Sequence, residues 1–448
     1  MVDLLEIGEK ALKFAEKLNV SEVEVYLVQN SSKCCLLSDK IDVVKSNVAS
    51  GLGARVVIDK KIGVYGTTSL EENKVKEAVE KAVKIAVASD PDPDFKEINR
   101  KFSESSVSGI YDKEIVKMDI EKIFDAANTL ITSAMDYNET VRPTRGFIET
   151  SVWKVAICNS YGVEAVREET AAVTWFRCKA KDEGKEASAG ESKQARKWKD
   201  IDFSEIATSA ASKAVSILDA TLIENQKLPV IWHNKFTASM IDIMFGSTID
   251  AYSVQKGRSP WKGKVGQQVA SENFNLVDDG TMDAGLRTRP FDDEGVATRR
   301  TPVIEGGVLK GFLYDTYTAN KEGTLSTGNA FRSYRSNPLP APSNLILKPG
   351  DAEREEIIEE TKRGLLVIDV IGEWLSNPIS GEMSATVVVG YLVENGEVKK
   401  PVKGIMISGN FHQIVKDGIE LIGKDVSNVG GVYAPTIKVS EMTIAGKS

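Results

Sequence analysis

The sequence predicts an α+β protein, with an α/β helix-and-sheet region in the first half and a mainly antiparallel, barrel-like β domain with a few helices in the second. Three observations predict it. In the first half, stretches of helical periodicity alternate with clusters of strand-like alternation, the pattern of helices packed on a sheet. In the second half most strand-like runs are hairpin-linked, and Asn395-Gly396 and Glu305-Gly306-Gly307 are turns that need positive φ. A new apolar strand at Pro229-Val230-Ile231-Trp232 follows a boundary near residues 223–228, which divides the chain into 1–224 and 225–448.

The elements follow in order. Residues 3–18 carry Leu4, Leu5, Ala11, Leu12, Ala15 and Leu18 at helical spacing. Residues 22–28 and 33–37 read as strands, and 51–58 with 61–65 as a hairpin through Asp59-Lys60. The helix at 71–88 ends at Ser89-Asp90-Pro91-Asp92-Pro93-Asp94, where two prolines forbid its continuation. A third helix at 117–137, strands at 146–159, 163–171 and 174–181, and a fourth helix at 203–218 complete this half. The second half opens with a helix at 236–252, apolar almost all round and so expected in a core. Residues 257–266 form a glycine- and lysine-rich loop. Strands are expected at 344–347, 365–371, 385–393, 398–407 and 436–444, with a helix at 411–422; Pro338, Pro340 and Pro342 keep 337–342 extended.

Residues 289–335 carry the densest local instruction. Asp292-Asp293-Glu294-Gly295 is a turn with three carboxylates, 301–304 and 308–313 are hairpin strands, and 314–321 is a short helix. Residues 323–330 are a Gly/Ser/Thr-rich loop, with Arg332 and Arg335 beyond it. Together these suggest the rim of a pocket. The carboxylates suit a divalent cation, but the commoner arrangement is a solvated acidic turn neutralised by Arg287, Arg289, Arg299 or Arg300.

Composition narrows the function. The 448 residues are 42% hydrophobic and 27% charged, as expected of a globular protein of two or three domains. A net charge of −8, without a basic block, argues against nucleic acid as a partner. No apolar run reaches the roughly 18 residues of a membrane span, and the charged N-terminal helix is unlike a signal peptide, so a cytoplasmic location is expected. Four cysteines without a CxxC pair disfavour structural zinc and disulfides. Only two histidines, His233 and His412, are present, which nearly excludes chemistry built on a histidine cluster.

Individual motifs are weak. Gly418-Ile419-Glu420-Leu421-Ile422-Gly423-Lys424 has phosphate-loop spacing, but Asp425 follows where a Ser or Thr must hold magnesium, and the run reads as a helix ending at a glycine cap. Ser326 misses nucleophile-elbow spacing by one residue, and each histidine reads as a packed or capping residue. Trp261, Lys262 and Lys264 offer a peptide or anion contact, against the ordinary reading of an exposed, mobile loop.

Ordered runs through the chain resemble the TldD/PmbA family, whose name comes from modulators of DNA gyrase. They include Pro290-Phe291-Asp292-Asp293-Glu294-Gly295, Tyr314-Asp315-Thr316-Tyr317-Thr318-Ala319, Ser326-Thr327-Gly328-Asn329-Ala330, Lys348-Pro349-Gly350-Asp351 and Ile407-Ser408-Gly409-Asn410. TldD-like members resemble zinc peptidases with HExxxH on the first buried helix of the C-terminal domain and a cysteine near the chain end. Here Asp242 stands for the first histidine, Ile243 for the glutamate and Ser247 for the second histidine, while Val429-Gly430-Gly431-Val432 occupies the region of the cysteine. The resemblance is therefore to the TldE (PmbA) branch.

It implies a non-catalytic subunit with no catalytic residue or metal ligand of its own, and zinc expected only in a TldD-like metallopeptidase partner. The implied assembly is a heterodimer, with a homodimer as a possible substitute, acting on unfolded peptides. Ser326, Asn329, Arg332 and Arg335 are the candidate peptide-binding residues. The alternative is a stand-alone hydrolase with an atypical centre built from Asp242, the acidic turn or Ser326.

Overall fold

Residues 3–447 are described by the structure, a computed structural model. The first half holds α1 (Leu4–Ala15), β1 (Glu22–Leu37), β2 (Ile41–Ile58), β3 (Lys61–Thr67), α2 (Glu72–Ala88), α3 (Lys113–Val116), α4 (Ile120–Tyr137), β4 (Val141–Asn159), β5 (Glu164–Asp182), β6 (Lys185–Ala195) and α5 (Phe203–Ser216). Its six strands form one antiparallel sheet in the order β3-β2-β1-β4-β5-β6. On one face, Val23, Val25 and Leu27 pack under α1 and α2, while Cys35 and Leu37 farther along β1 pack under α4 and α5. The opposite face turns toward the second half, where Phe291 packs with Tyr26, Val155 and Ile157.

The strands are longer than their apolar cores suggest. β1 runs unbroken through the polar stretch Gln29-Asn30-Ser31-Ser32, because each of those residues pairs with both β2 and β4. The same effect fuses the two expected strands of β5, and pairing with β5 alone adds the edge strand β6, which the sequence pattern did not announce. Ladder pairing on both sides outweighs weak intrinsic β preference.

The second half contains β7 (Gln226–Trp232), α6 (Asn234–Phe245), α7 (Ala251–Gln255), β8 (Leu276–Asp279), β9 (Arg300–Glu305), β10 (Val308–Leu309), α8 (Thr316–Glu322), β11 (Ala330–Phe331), β12 (Leu339–Pro340) and β13 (Asn344–Leu347). After these come α9 (Arg354–Glu359), β14 (Arg363–Ile371), β15 (Glu382–Glu394), β16 (Glu397–Val402), β17 (Met406–Asn410), α10 (Phe411–Gln413), β18 (Ile419–Val429) and β19 (Val432–Ala445). β7, β14, β15, β17 and β19 close into a barrel, since β19 pairs with both β17 and β7; only the β7–β14 pair within it is parallel. The expected α+β class with a mainly antiparallel, barrel-like second half is what the fold shows.

Two expected helices differ. The run at 236–252 breaks after Phe245, where Gly246, Ser247 and Thr248 turn the chain and the Asp250 carboxylate caps α7 through Ser253 N–H. The run at 411–422 is helical through Gly418, a short α turn followed by a π turn, and from Ile419 it is strand β18 paired with β19. Of the glycines with phosphate-loop spacing, Gly418 thus ends the helical segment and Gly423 lies inside strand β18. Here a long antiparallel partner settles a run of β-branched residues that periodicity alone leaves ambiguous.

Candidate functional site

The acidic turn is the first departure from expectation. Asp292, Asp293 and Glu294 are buried rather than solvated, and of the arginines paired with Asp293 and Glu294 only Arg289 flanks the turn in sequence. The Asp292 carboxylate accepts backbone N–H bonds from Glu294 (2.9 Å), Val296 (3.0 Å) and Ala330 (3.0 Å), which tightens the turn and fastens it to β11. Asp293 meets Arg167 of β5 at 2.5 Å and Arg289 at 3.4 Å. Burial opposes its charge, but the Arg167 and Arg289 guanidiniums prevail and hold its carboxyl below the ordinary range. Glu294 pairs with Arg55 of β2 at 3.0 Å and accepts the first N–H of α8, from Thr316, at 2.8 Å. Arg55 also reaches Glu24 of β1 at 3.0 Å, and Glu24 in turn binds Arg332 at 2.5 Å. A chain of buried charges therefore rivets the first-half sheet to the second half. Close approach of the backbones assists it: a Cβ at Gly53 of β2 would collide with the backbone of Tyr334.

Beside this rivet lies a cavity of about 600 Å³. Tyr26, Trp153, Arg167 and Glu169 of the sheet line one wall; Arg287, Arg289, Phe331 and Tyr334 line the other. Glu169 is opposed by burial but held in its charged form, below the usual range, by Arg196 and Arg167. Arg287 marks the end of the cavity near Gly430. Its Nη2 lies 3.0 Å from Oδ1 of Asp242 on α6, and the next glycine, Gly431, is so close that a Cβ there would fall 2.6 Å from Arg287 Cγ. Helix α6 and the β18–β19 turn, far apart in sequence, are joined by one guanidinium.

Comparison with known proteins places this architecture. Family models for PmbA/TldA metallopeptidase domain 1, the central domain and the C-terminal domain match residues 23–86, 113–218 and 225–446. The chain belongs to the TldD/PmbA family. A Thermotoga maritima structure named as a modulator of DNA gyrase superposes with a TM-score of 0.88 at 30% identity, covering 99% of this chain and 100% of that one. TldE from Thermococcus kodakarensis gives a TM-score of 0.89 at 26% identity, over 98% of this chain and 100% of that one. The Escherichia coli metalloprotease PmbA is 24% identical over 91% of this chain and 88% of its own length.

A family named for metallopeptidases implies a zinc site, and the residues present do not fit one. Zinc needs about three protein ligands converging on one point. Of the three positions that the resemblance sets against HExxxH, Asp242 is ion-paired, Ile243 packs against the barrel core, and Ser247 is exposed in the turn after α6. Among the described residues, no three of His, Cys, Asp and Glu gather as a metal site. The two positions that the TldD/PmbA resemblance linked, Asp242 and the Gly430-Gly431 turn, do come together, with Arg287 between them.

The other sequence candidates are placed separately. Arg332 lines the cavity, but its guanidinium is buried against Glu24 and lies 4.8 Å from the Tyr26 ring centre. Arg335 is exposed and sits over Tyr334 at 5.2 Å. Ser326 donates to the Tyr314 carbonyl and accepts from Gly328 N–H, both at 3.1 Å, so its hydroxyl has backbone partners and no adjacent base. Asn329 is buried and donates to Asp278 at 2.8 Å. His233 faces Arg354, and burial together with that cation pushes its imidazole down to about 3. Trp261, expected on an exposed loop, is instead buried and stacked on Phe245 at 5.7 Å. Arg55, Arg167, Arg196, Glu24 and Glu169 were not singled out in the sequence. Arg55 alone carries a clear signal, a charge within the otherwise apolar and small-residue run Gly53-Ala54-Arg55-Val56-Val57, whereas Arg167 and Glu169 lie in the charged run Arg167-Glu168-Glu169.

Proposed function

We propose that this chain is the metal-free, non-catalytic member of a TldD/TldE-type pair, helping a TldD-like zinc metallopeptidase to process unfolded peptides. The observation that carries this reading is the Asp242–Arg287 pair, in which a guanidinium occupies the junction between α6 and the β18–β19 turn. A resident cation satisfies the carboxylate there and leaves no set of donors for an ion. The fold is retained, on this reading, because its surface and its cavity serve a partner. The cavity wall of strand residues, aromatics and arginines suits an extended peptide held by its backbone and its carboxylates. Neither nucleic acid nor membrane is a partner, and the pair works in the cytoplasm. Where no TldD-like chain is present, a homodimer takes its place.

Co-expression with a TldD-like chain carrying an intact HExxxH tests the reading. A 1:1 complex that degrades unfolded peptide is expected, while this chain alone is inactive with or without added zinc. Peptidase activity of the isolated chain that survives chelation and repeated purification would establish a stand-alone hydrolase instead.

A further inference from the structure

A second cavity, of about 510 Å³, lies on the other side of the β18–β19 turn: Val429 lines it, while Gly430, the next residue, lines the first. Its walls are the face of β5 and β6 that turns toward the second half, the start of α6, and the end of β14 with the short turn Glu373–Leu375. Most of the charges around it are already paired. Glu191 holds Lys235 and, at 3.1 Å, Lys213, and Lys213 also reaches Asp369 at 3.1 Å. Two ionic groups of opposite sign are left over. Arg177 of β5 is exposed, and among the described residues its guanidinium has neither an ion pair nor a hydrogen bond. Opposite it on β6 stands Gly190, and the Trp175 ring leans across that glycine: a Cβ there would fall 3.3 Å from the indole Nε1, whose N–H also lacks a partner among the described residues. At the α6 wall, the Glu373 carboxylate accepts a bond from the Ser239 hydroxyl at 3.3 Å, but its other oxygen, Oε2, is buried with no partner. An ionic oxygen shut away from water and left unbonded is costly, so it marks a place for a donor.

We propose that this cavity binds a small zwitterion, an amino acid or short peptide with both ends free and an apolar body, whose carboxylate meets Arg177 and whose ammonium meets Glu373. A planar guanidinium with all its donors free suits a carboxylate, and the Trp175 N–H beside it adds one more donor. An ammonium gives Glu373 Oε2 the donor it lacks. Trp374, 61% exposed and stacked on no other ring among the described residues, lines the cavity next to Glu373, where an aromatic face attracts a cation. Much of the remaining wall is apolar, with Phe236, Ile368, Val370 and Val388, and takes the uncharged body of the ligand. A simple anion would answer Arg177 and leave Glu373 unsatisfied, and a simple cation would do the reverse. One ligand carrying both charges satisfies both groups at once. The volume lies within the range of about 300–1,000 Å³ usual for small-molecule sites.

The inference concerns this chain alone and is independent of the first cavity and of any metallopeptidase partner. Calorimetric titration of the full chain with phenylalanine, alanyl-phenylalanine and alanyl-phenylalanyl-alanine tests it, followed by the N-acetylated and C-amidated forms of the tightest binder. Free-ended ligand should bind, and either cap should weaken it roughly tenfold or more. Glu373→Gln should weaken the free-ended ligand by a similar factor while changing the N-acetylated form less than about twofold. Arg177→Gln should act in the same way, sparing the C-amidated form. Arg287→Ala, in the first cavity, should leave all of these affinities as they are. Tightest binding of phenylalanine would make this an amino-acid site, and tightest binding of a longer ligand a peptide site. The proposal is overturned if no free-ended ligand binds at about 5 mM, or if capped forms bind as well as free ones. It is overturned equally if Arg287→Ala abolishes binding that Arg177→Gln leaves intact, because the ligand then sits in the first cavity.

Discussion

At the acidic turn, Arg55, Arg167, Asp293 and Glu294 pair with side chains no more than 5% exposed; at the cavity end, Asp242 and Arg287 pair at 43% and 29%. The chemistry is the same and the environment is not. In the first grouping each charge needs its partner, because a lone charge without water costs several kcal/mol, and the partners lie on opposite halves of the chain. It works as a rivet whose identity is fixed. In the second, water screens both charges and either can exchange its partner. Arg287 can release Asp242 for an incoming carboxylate, whereas Arg167 has no freedom to release Asp293. Position along one fold therefore turns the same ion pair into a structural part or into an adaptable one.

The sharpest way to break this contrast is to remove one half of the rivet. Arg167→Ala should lower stability by about 3–5 kcal/mol, since it leaves the buried Asp293 with the distant Arg289 as its remaining cation. Joint replacement by apolar residues, Arg167→Met with Asp293→Leu, should recover part of that loss. Urea unfolding of the three proteins measures both. If the single variant loses less than about 1 kcal/mol, the rivet is no stronger than a surface pair.

A second buried carboxylate sharpens the comparison because it has no arginine. Asp278 is buried, accepts one bond from Asn329, and its other oxygen has no partner. Burial pushes its carboxyl up to about 7. An unfolded aspartate releases its proton near 3.9, so between roughly pH 4 and 7 the folded state holds a proton that the unfolded state has lost. Stability from this group is full below about pH 4, falls as pH rises toward 7, and is flat above. Asp278→Asn should remove that slope and gain on the order of 1–3 kcal/mol over the wild type at pH 8, its amide being able to bond the free Asn329 oxygen. Parallel unfolding curves at pH 5 and pH 8 for both proteins would show that Asp278 is charged throughout.

These sites also show how far the sequence was legible. The class, the helices covering the sheet and the hairpin-rich second half follow from periodicity and turn residues, which are local. The resemblance singled out Asp242, Ile243 and Ser247 because a motif with fixed spacing is local too. The rivet was not legible, because Glu24, Arg55 and Arg167 lie on three strands, and only the sheet register brings them to Glu294 and Asp293. The acidic turn reads as a solvated cluster in one dimension for the same reason. Arg287 is one of four arginines that flank that turn in the sequence, and nothing within ten residues tells that it bonds Asp242 instead.

The smallest effect on stability belongs to the adaptable pair. Asp242→Ala should change unfolding free energy by less than about 1 kcal/mol, because both partners keep water. Its consequence should appear in binding. With Asp242 gone, Arg287 faces the cavity without a competing carboxylate, and a short acidic peptide should bind about threefold to tenfold more tightly. Arg287→Ala should weaken the same peptide by a similar factor, and raising salt from about 0.05 to 0.5 M should shrink both differences through screening. Titration calorimetry with one peptide and three proteins reads the whole pattern. Equal affinities across the set would mean that Asp242 holds Arg287 as firmly as Asp293 holds Arg167, and the two groupings would then differ in exposure but not in role.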